Sequence, residues 1–167
     1  GVSADLDALA AYVASLDESP ASPDRGANGQ LTPDAAQGEL VFLAQGCADC
    51  HSGSRYSDSA LGIRHDVGTF GAASGQRLGG VLDGLDTPDL RGLWASAPYF
   101  HDGSAASLAD VVARSGPLHG DMATLGTGDQ RALIAFLRQL DDAVSDAPLS
   151  PPGVRLNTPR ARATVLG

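Results

Sequence analysis

The sequence predicts an all-α fold whose helices are joined by long loops, and three observations carry that prediction. Apolar residues recur at helical spacing in four separate stretches, while strand-like alternation is nearly absent before residue 153. Gly 21 and Pro 10 among 167 residues supply turns between those stretches. The chain is 43% hydrophobic but only 5% aromatic, with four Phe, three Tyr and one Trp. So few large apolar side chains leave a core that needs additional mass from elsewhere.

The elements follow in order. Residues 3–16 place Leu6, Leu9, Tyr12, Val13 and Leu16 at helical spacing behind Ser3, a capping residue type. Residues 17–30 are rich in Pro, Ser, Asp and Gly and read as a linker. Thr32-Pro33-Asp34 opens a second helix with Pro at its first position, and Leu40, Val41 and Leu43 run on to Gly46. Residues 52–88 mix Gly, Ser and Asp with isolated apolar residues and read as irregular loops. Ser107 to Arg114 is a short helix. Thr127 and Gln130 form a capping box for a last helix with the stripe Leu133, Ile134, Phe136, Leu137 and Leu140. After Asp146 come Pro148, Pro151 and Pro152, then a short basic tail containing Arg155, Arg160 and Arg162.

One motif carries chemistry. Cys47-Ala48-Asp49-Cys50-His51 has the C-x-x-C-H spacing of c-type haem attachment. On one helical turn, two thiols three residues apart reach the two vinyl groups of one porphyrin. The imidazole that follows is then set beneath the iron as proximal ligand. The competing readings are a zinc site, which wants a second ligand pair, a thioredoxin-like dithiol, which wants a βαβ context, and a plain Cys47–Cys50 disulfide. A covalent haem supplies the missing core mass. The expected fold is therefore a cytochrome c-like helical domain with long loops around one covalent haem c, and an irregular or short β tail.

Charge narrows the partners. Eleven basic residues, all Arg, against twenty acidic ones leave a net charge of −9. That balance argues against nucleic acid or an anionic membrane surface, because counterion release needs clustered cations. No apolar run approaches the roughly 18–20 residues needed to span a bilayer. Haem c is attached outside the cytoplasmic membrane, so the expected location is periplasmic or extracellular.

Further along, Thr87-Pro88-Asp89-Leu90-Arg91-Gly92-Leu93, then Ala97-Pro98-Tyr99-Phe100-His101-Asp102-Gly103-Ser104, then Ser107-Leu108 stand in order. With His65-Asp66-Val67-Gly68-Thr69 and Leu133-Ile134-Ala135-Phe136-Leu137, they resemble the C-terminal haem domain of the bacterial di-haem cytochrome c peroxidase family. Residues 1–16 resemble the closing helix of that family's preceding haem domain. The expected organisation is that helix at 1–16, a linker at 17–30, a mono-haem domain at 31–146, and a Pro-rich linker and tail at 147–167. Val154, Leu156 and Val165 in the tail resemble inward positions in the first strand of an Ig-like module. The chain thus reads as the second half of a longer di-haem polypeptide, or a mature product cut from one.

The resemblance implies that this haem supplies electrons, while the preceding haem is where peroxide is reduced. It also implies a Met sixth ligand near Ser115-Gly116, where this sequence has none. Two substitutes follow: His119 is the first choice for sixth ligand and Met122 the second, with an open iron as the third reading. Tyr56, Phe70, Leu90, Trp94, Tyr99 and Phe100 are expected to wall the pocket. Arg91 is expected at a haem propionate, since a guanidinium suits bidentate carboxylate pairing. His65 and His101 read as loop residues rather than ligands. The resemblance further implies a calcium ion on main-chain carbonyls of Ser96 and Pro98, between this domain and a preceding one. The expected activity is that of an electron carrier working with redox protein partners or a second haem domain; the alternative is a peroxidase-like haem enzyme.

Overall fold

The computed structural model describes residues 2–16, 19–71, 74–77 and 79–142, and the tail positions Val154, Leu156 and Val165 lie outside them. Four α-helices form among the described residues: α1 (Ala4–Ala14), α2 (Pro33–Ala44), α3 (Leu108–Arg114) and α4 (Thr127–Leu137). Three begin where a side chain satisfies a free amide at the first turn. Ser3 accepts from the Leu6 amide, Thr32 from Ala35 and Ser107 from Asp110. Helix α4 departs from the expected capping box. Gly126 takes the extended cap conformation, so Thr127 is already helical. Gln130 Nε2 reaches back to the carbonyls of Met122 and Ala123 instead.

The core lies where α2 crosses α4. Phe42, Leu133, Phe136 and Leu140 are fully buried there, with Tyr56, Val112 and Met122 beside them. The Phe42 and Phe136 rings meet edge to face at 5.3 Å, and Tyr56 stands edge-on to both. The crossing is close because α2 carries Gly38. A Cβ at that position would fall 1.9 Å from the Ala132 carbonyl oxygen.

The long loop after the Cys motif has more order than its composition predicts. Strands β1 (Gln76–Arg77) and β2 (Gly80–Val81) pair antiparallel, with Gln76 opposite Val81. His65 and Leu85 exchange two main-chain hydrogen bonds of 2.9 Å. Strands of two residues are too short to show an alternation, which is why the sequence does not signal them.

Residues 19–30 are fastened to the other end of the described chain. The Arg25 guanidinium pairs with Asp141 at 2.8 Å, with both side chains buried, and donates to the carbonyls of Gly29 and Gln139. The Ser22 amide also donates to Asp141, and the Ser22 hydroxyl to the Arg138 carbonyl. Helix α1 behaves differently. None of its residues is buried, and Leu6, Leu9, Tyr12, Val13 and Leu16 are all more than half exposed. None of the described helices is long and apolar enough to cross a membrane.

Candidate haem site

Helix α2 delivers the motif. It ends at Gln45, and Gly46 at φ 72° turns the chain into a single 3₁₀ turn over Cys47–Asp49. The His51 amide closes that turn by donating to the Cys47 carbonyl at 2.9 Å. Both cysteines are half-buried and unbonded to each other. Burial pushes the Cys47 thiol up to about 12 and raises Cys50 as well. Undissociated thiols of that kind are poor redox nucleophiles. The Cys50, Asp58 and His65 donor atoms lie within 4.8 Å of one another, three donors where a closed zinc site takes four. His65 instead joins the two groups: Nδ1 lies 3.7 Å from Cys50 Sγ, and Nε2 lies 2.8 Å from Asp58 Oδ2.

His51 donates from Nδ1 to the Tyr56 carbonyl at 2.9 Å, which leaves the Nε2 lone pair free. Tyr56 adopts a left-handed conformation, φ 53°, where its carbonyl meets that ring. On the far side of the site, a 3₁₀ turn over Pro117–His119, flanked by Gly116 and Gly120, carries the second imidazole. A Cβ on Gly120 would stand 3.8 Å from Cys47 Sγ, so this turn lies directly against the Cys motif. The His51 and His119 ring centroids are 6.5 Å apart, with the planes tilted by 49°. Burial lowers the His51 pKa, outweighing the Tyr56 hydrogen bond, and burial followed by repulsion from His51 pushes His119 down to about 4. Both rings are therefore neutral at neutral pH, as metal ligation requires.

These donors fit a haem iron. A metal bonded at about 2 Å to one nitrogen of each ring would hold the two centroids roughly 6 Å apart, close to the spacing seen. Among the described residues the buried Trp94 Nε1–H also has no hydrogen-bond partner, and a haem carboxylate is an acceptor of the right kind.

The other expected residues fall into place variously. Met122 is 5% exposed and packs in the hydrophobic core. Phe100 lies with its ring centroid 6.3 Å from that of His119, and Arg114 sits over the Phe100 ring at 5.5 Å. Tyr56 and Leu90 are core residues, and Tyr99 donates its hydroxyl to the Leu93 carbonyl. Phe70 packs edge-on to His101, whose ring nitrogens lie within hydrogen-bond distance of the Thr69 and Ser74 hydroxyls. Arg91 gives Nε and Nη2 to Asp89 and Nη1 to Asp142, so its guanidinium is taken up by carboxylates of the protein itself. A cavity of about 280 Å³ beside His119 is lined by Val67, Thr69, Phe100, Arg114 and Leu118, among others. Ser115, with its hydroxyl 3.4 Å from His119 Nδ1, is the residue that sequence reasoning missed as a partner of His119. A serine four residues before a histidine carries no signal of its own.

A haem attachment turn on a helical body, with a second histidine facing it, defines a c-type cytochrome domain. A family described as RoxA-like, cytochrome c-like matches residues 84–116. The γ subunit of hydrazine synthase from Kuenenia stuttgartiensis is 30% identical over 81% of this chain and 48% of its own length. The cytochrome c551 peroxidase of Nitrosomonas europaea is 27% identical, over 94% of this chain and 51% of its own. Among solved structures, Kuenenia hydrazine synthase pressurised with xenon superposes with a TM-score of 0.67 at 28% identity, covering 81% of this chain and 55% of that one. The chain is similar to proteins of the di-haem cytochrome c peroxidase-like family, and its motif and fold are those of a haem c electron-transfer domain related to them. It spans about half the length of the curated relatives it matches.

Proposed function

We propose that this chain carries one haem c, attached through Cys47 and Cys50, with His51 and His119 as the axial pair, and that it passes electrons rather than turning over a substrate. The observation that carries this reading is the approach of the two imidazoles, with ring centroids 6.5 Å apart beside the Cys motif. When bound, the haem supplies a one-electron Fe(III)/Fe(II) couple. The chain's own residues do the rest. The Tyr56 carbonyl fixes the His51 tautomer, and the Pro117–His119 turn brings His119 across the site. With His51 and His119 both holding it, the haem iron would have no position left for a substrate. With Met122 packed in the core, His119 is the sixth ligand the geometry favours. Trp94 Nε1 is the propionate donor in this reading, since Arg91 is already paired.

The wider assignments rest on the same chemistry. Thioether attachment implies an exported protein, in the periplasm or beyond. A net charge of −9 suits a redox partner with a basic docking surface, with an association weakened by salt. A calcium ion on the carbonyls of Ser96 and Pro98, both exposed residues, would be completed by another domain. A second reading, a peroxidase-like site opened by departure of His119, is favoured by the cavity at that residue.

One experiment separates the two. The exported, haem-loaded chain should give a pyridine haemochrome of one haem and a low-spin near-infrared magnetic circular dichroism spectrum of the bis-histidine type. His119→Ala should convert it to high spin while leaving the haem attached. A high-spin wild type that reacts rapidly with peroxide would overturn the electron-carrier reading.

A further inference from the structure

We propose that Ser115 is the positioning residue for His119, holding its imidazole in the tautomer that presents Nε2 to the metal and setting how firmly it is held. The inference deepens the bis-histidine reading and rests on it. Ser115 follows the last residue of α3 and is 2% exposed. Its hydroxyl lies 2.7 Å from the Val111 carbonyl and 3.4 Å from His119 Nδ1. A hydroxyl has one hydrogen, and a carbonyl can only accept, so that hydrogen goes to Val111. Towards His119 the oxygen can then only accept, and Nδ1 must carry the proton. A neutral ring protonated at Nδ1 has its lone pair on Nε2.

The two histidines thus share one tautomer through unequal partners. His51 donates to a main-chain carbonyl at 2.9 Å, from a residue next to the attachment cysteine. His119 donates to a hydroxyl at 3.4 Å, from a short turn between two glycines. A weaker acceptor makes His119 the less firmly held ligand, and the one an incoming small ligand displaces. An acceptor on Nδ1–H still raises the basicity of the ring, which favours Fe(III) and lowers the potential. Ser115 stands near the place where the resembling family has its Met ligand. In this chain that position orients a ligand four residues further on.

The test uses the haem-loaded chain and Ser115→Ala, with Ser115→Thr as the conservative control. S115A should raise the reduction potential and ease displacement of the sixth ligand by cyanide about tenfold, the lower end of what losing an outer partner costs. S115T should restore both. A potential and cyanide affinity unmoved in S115A overturn the proposal. A wild type without the bis-histidine near-infrared signature removes the underlying ligation and this inference with it, whereas that signature with an unmoved S115A removes this inference alone. If loss of the bond to Val111 unfolds S115A, the reduced wild type decides. Its His119 Nδ1 proton should exchange slowly in NMR, and a fast-exchanging one overturns the proposal.

Discussion

Two aromatic residues beside the paired imidazoles occupy left-handed backbone, Tyr56 at φ 53° and Phe100 at φ 66°. For residues with a Cβ that conformation costs about 1–2 kcal/mol each, and such outliers persist where the surroundings over-determine them. Here one aims a carbonyl at His51, and the other puts its ring near His119. Neither is legible from residue type, because nothing about Tyr or Phe announces positive φ. Asp89 offers a residue-level prediction. Burial pushes its carboxyl up, but hydrogen bonds and charge from Arg91 outweigh that and hold it below the ordinary 3.8. A depressed folded-state pKa means the contribution to stability is complete above pH 3.8 and is lost as pH falls through that value toward the folded one. Arg91→Ala removes the larger part of the effect and leaves Arg55 beside Asp89 at 3.2 Å, so acid unfolding followed by Trp94 fluorescence should begin at higher pH than in the wild type. An unshifted acid midpoint would mean that the Asp89–Arg91 pair adds nothing to folding.

Between the elements, the closest approach is Gly38 of α2 against Ala132 of α4. Gly38→Ala gains helix propensity of up to about 1 kcal/mol. Its Cβ would lie 1.9 Å from a main-chain oxygen and 2.8 Å from Phe136 Cβ, so the helices must separate. Overpacking of that kind costs typically 1–3 kcal/mol, occasionally more, and the net expectation is a loss of about 1–2 kcal/mol in urea unfolding. An unchanged midpoint would contradict the close crossing. Helices such as α2 and α3 were readable because their signals are local: Thr32 with Pro33, Ser107 with Asp110, and an apolar face repeating every turn. Local too is Cys47-Ala48-Asp49-Cys50-His51. What was not readable is either too short or joined across distance. The β1–β2 pair is local but too short to show an alternation, while the His65–Leu85 bridge and the approach of the His119 ring to His51 bring together segments distant in sequence. The α4 cap missed by one residue, since Gly126 and Thr127 both suit that position and only the chain path separates them.

Across the molecule, the first 30 residues divide into two parts with opposite energetic roles, although composition treats both as peripheral. Residues 19–30 close the ends of the described chain together through Arg25 and Asp141, whose side chains are 8% and 0% exposed. Asp141 also accepts from the Ser22 amide, so removing Arg25 leaves a buried carboxylate stripped of that guanidinium. Breaking a buried pair in this way costs about 3–5 kcal/mol, and Arg25→Ala should lower the thermal midpoint by roughly 10 °C. Helix α1 makes the contrast. It exposes an apolar stripe from Leu6 to Leu16 and buries no residue against the body. Deleting residues 1–16 removes no buried residue among those described, so the midpoint should stay within about 2 °C of the intact chain. The two variants compared by differential scanning calorimetry test the division directly. A large loss on trimming α1 would show that its apolar face is covered in solution, and a small loss in R25A would show that residues 19–30 do not hold the domain closed.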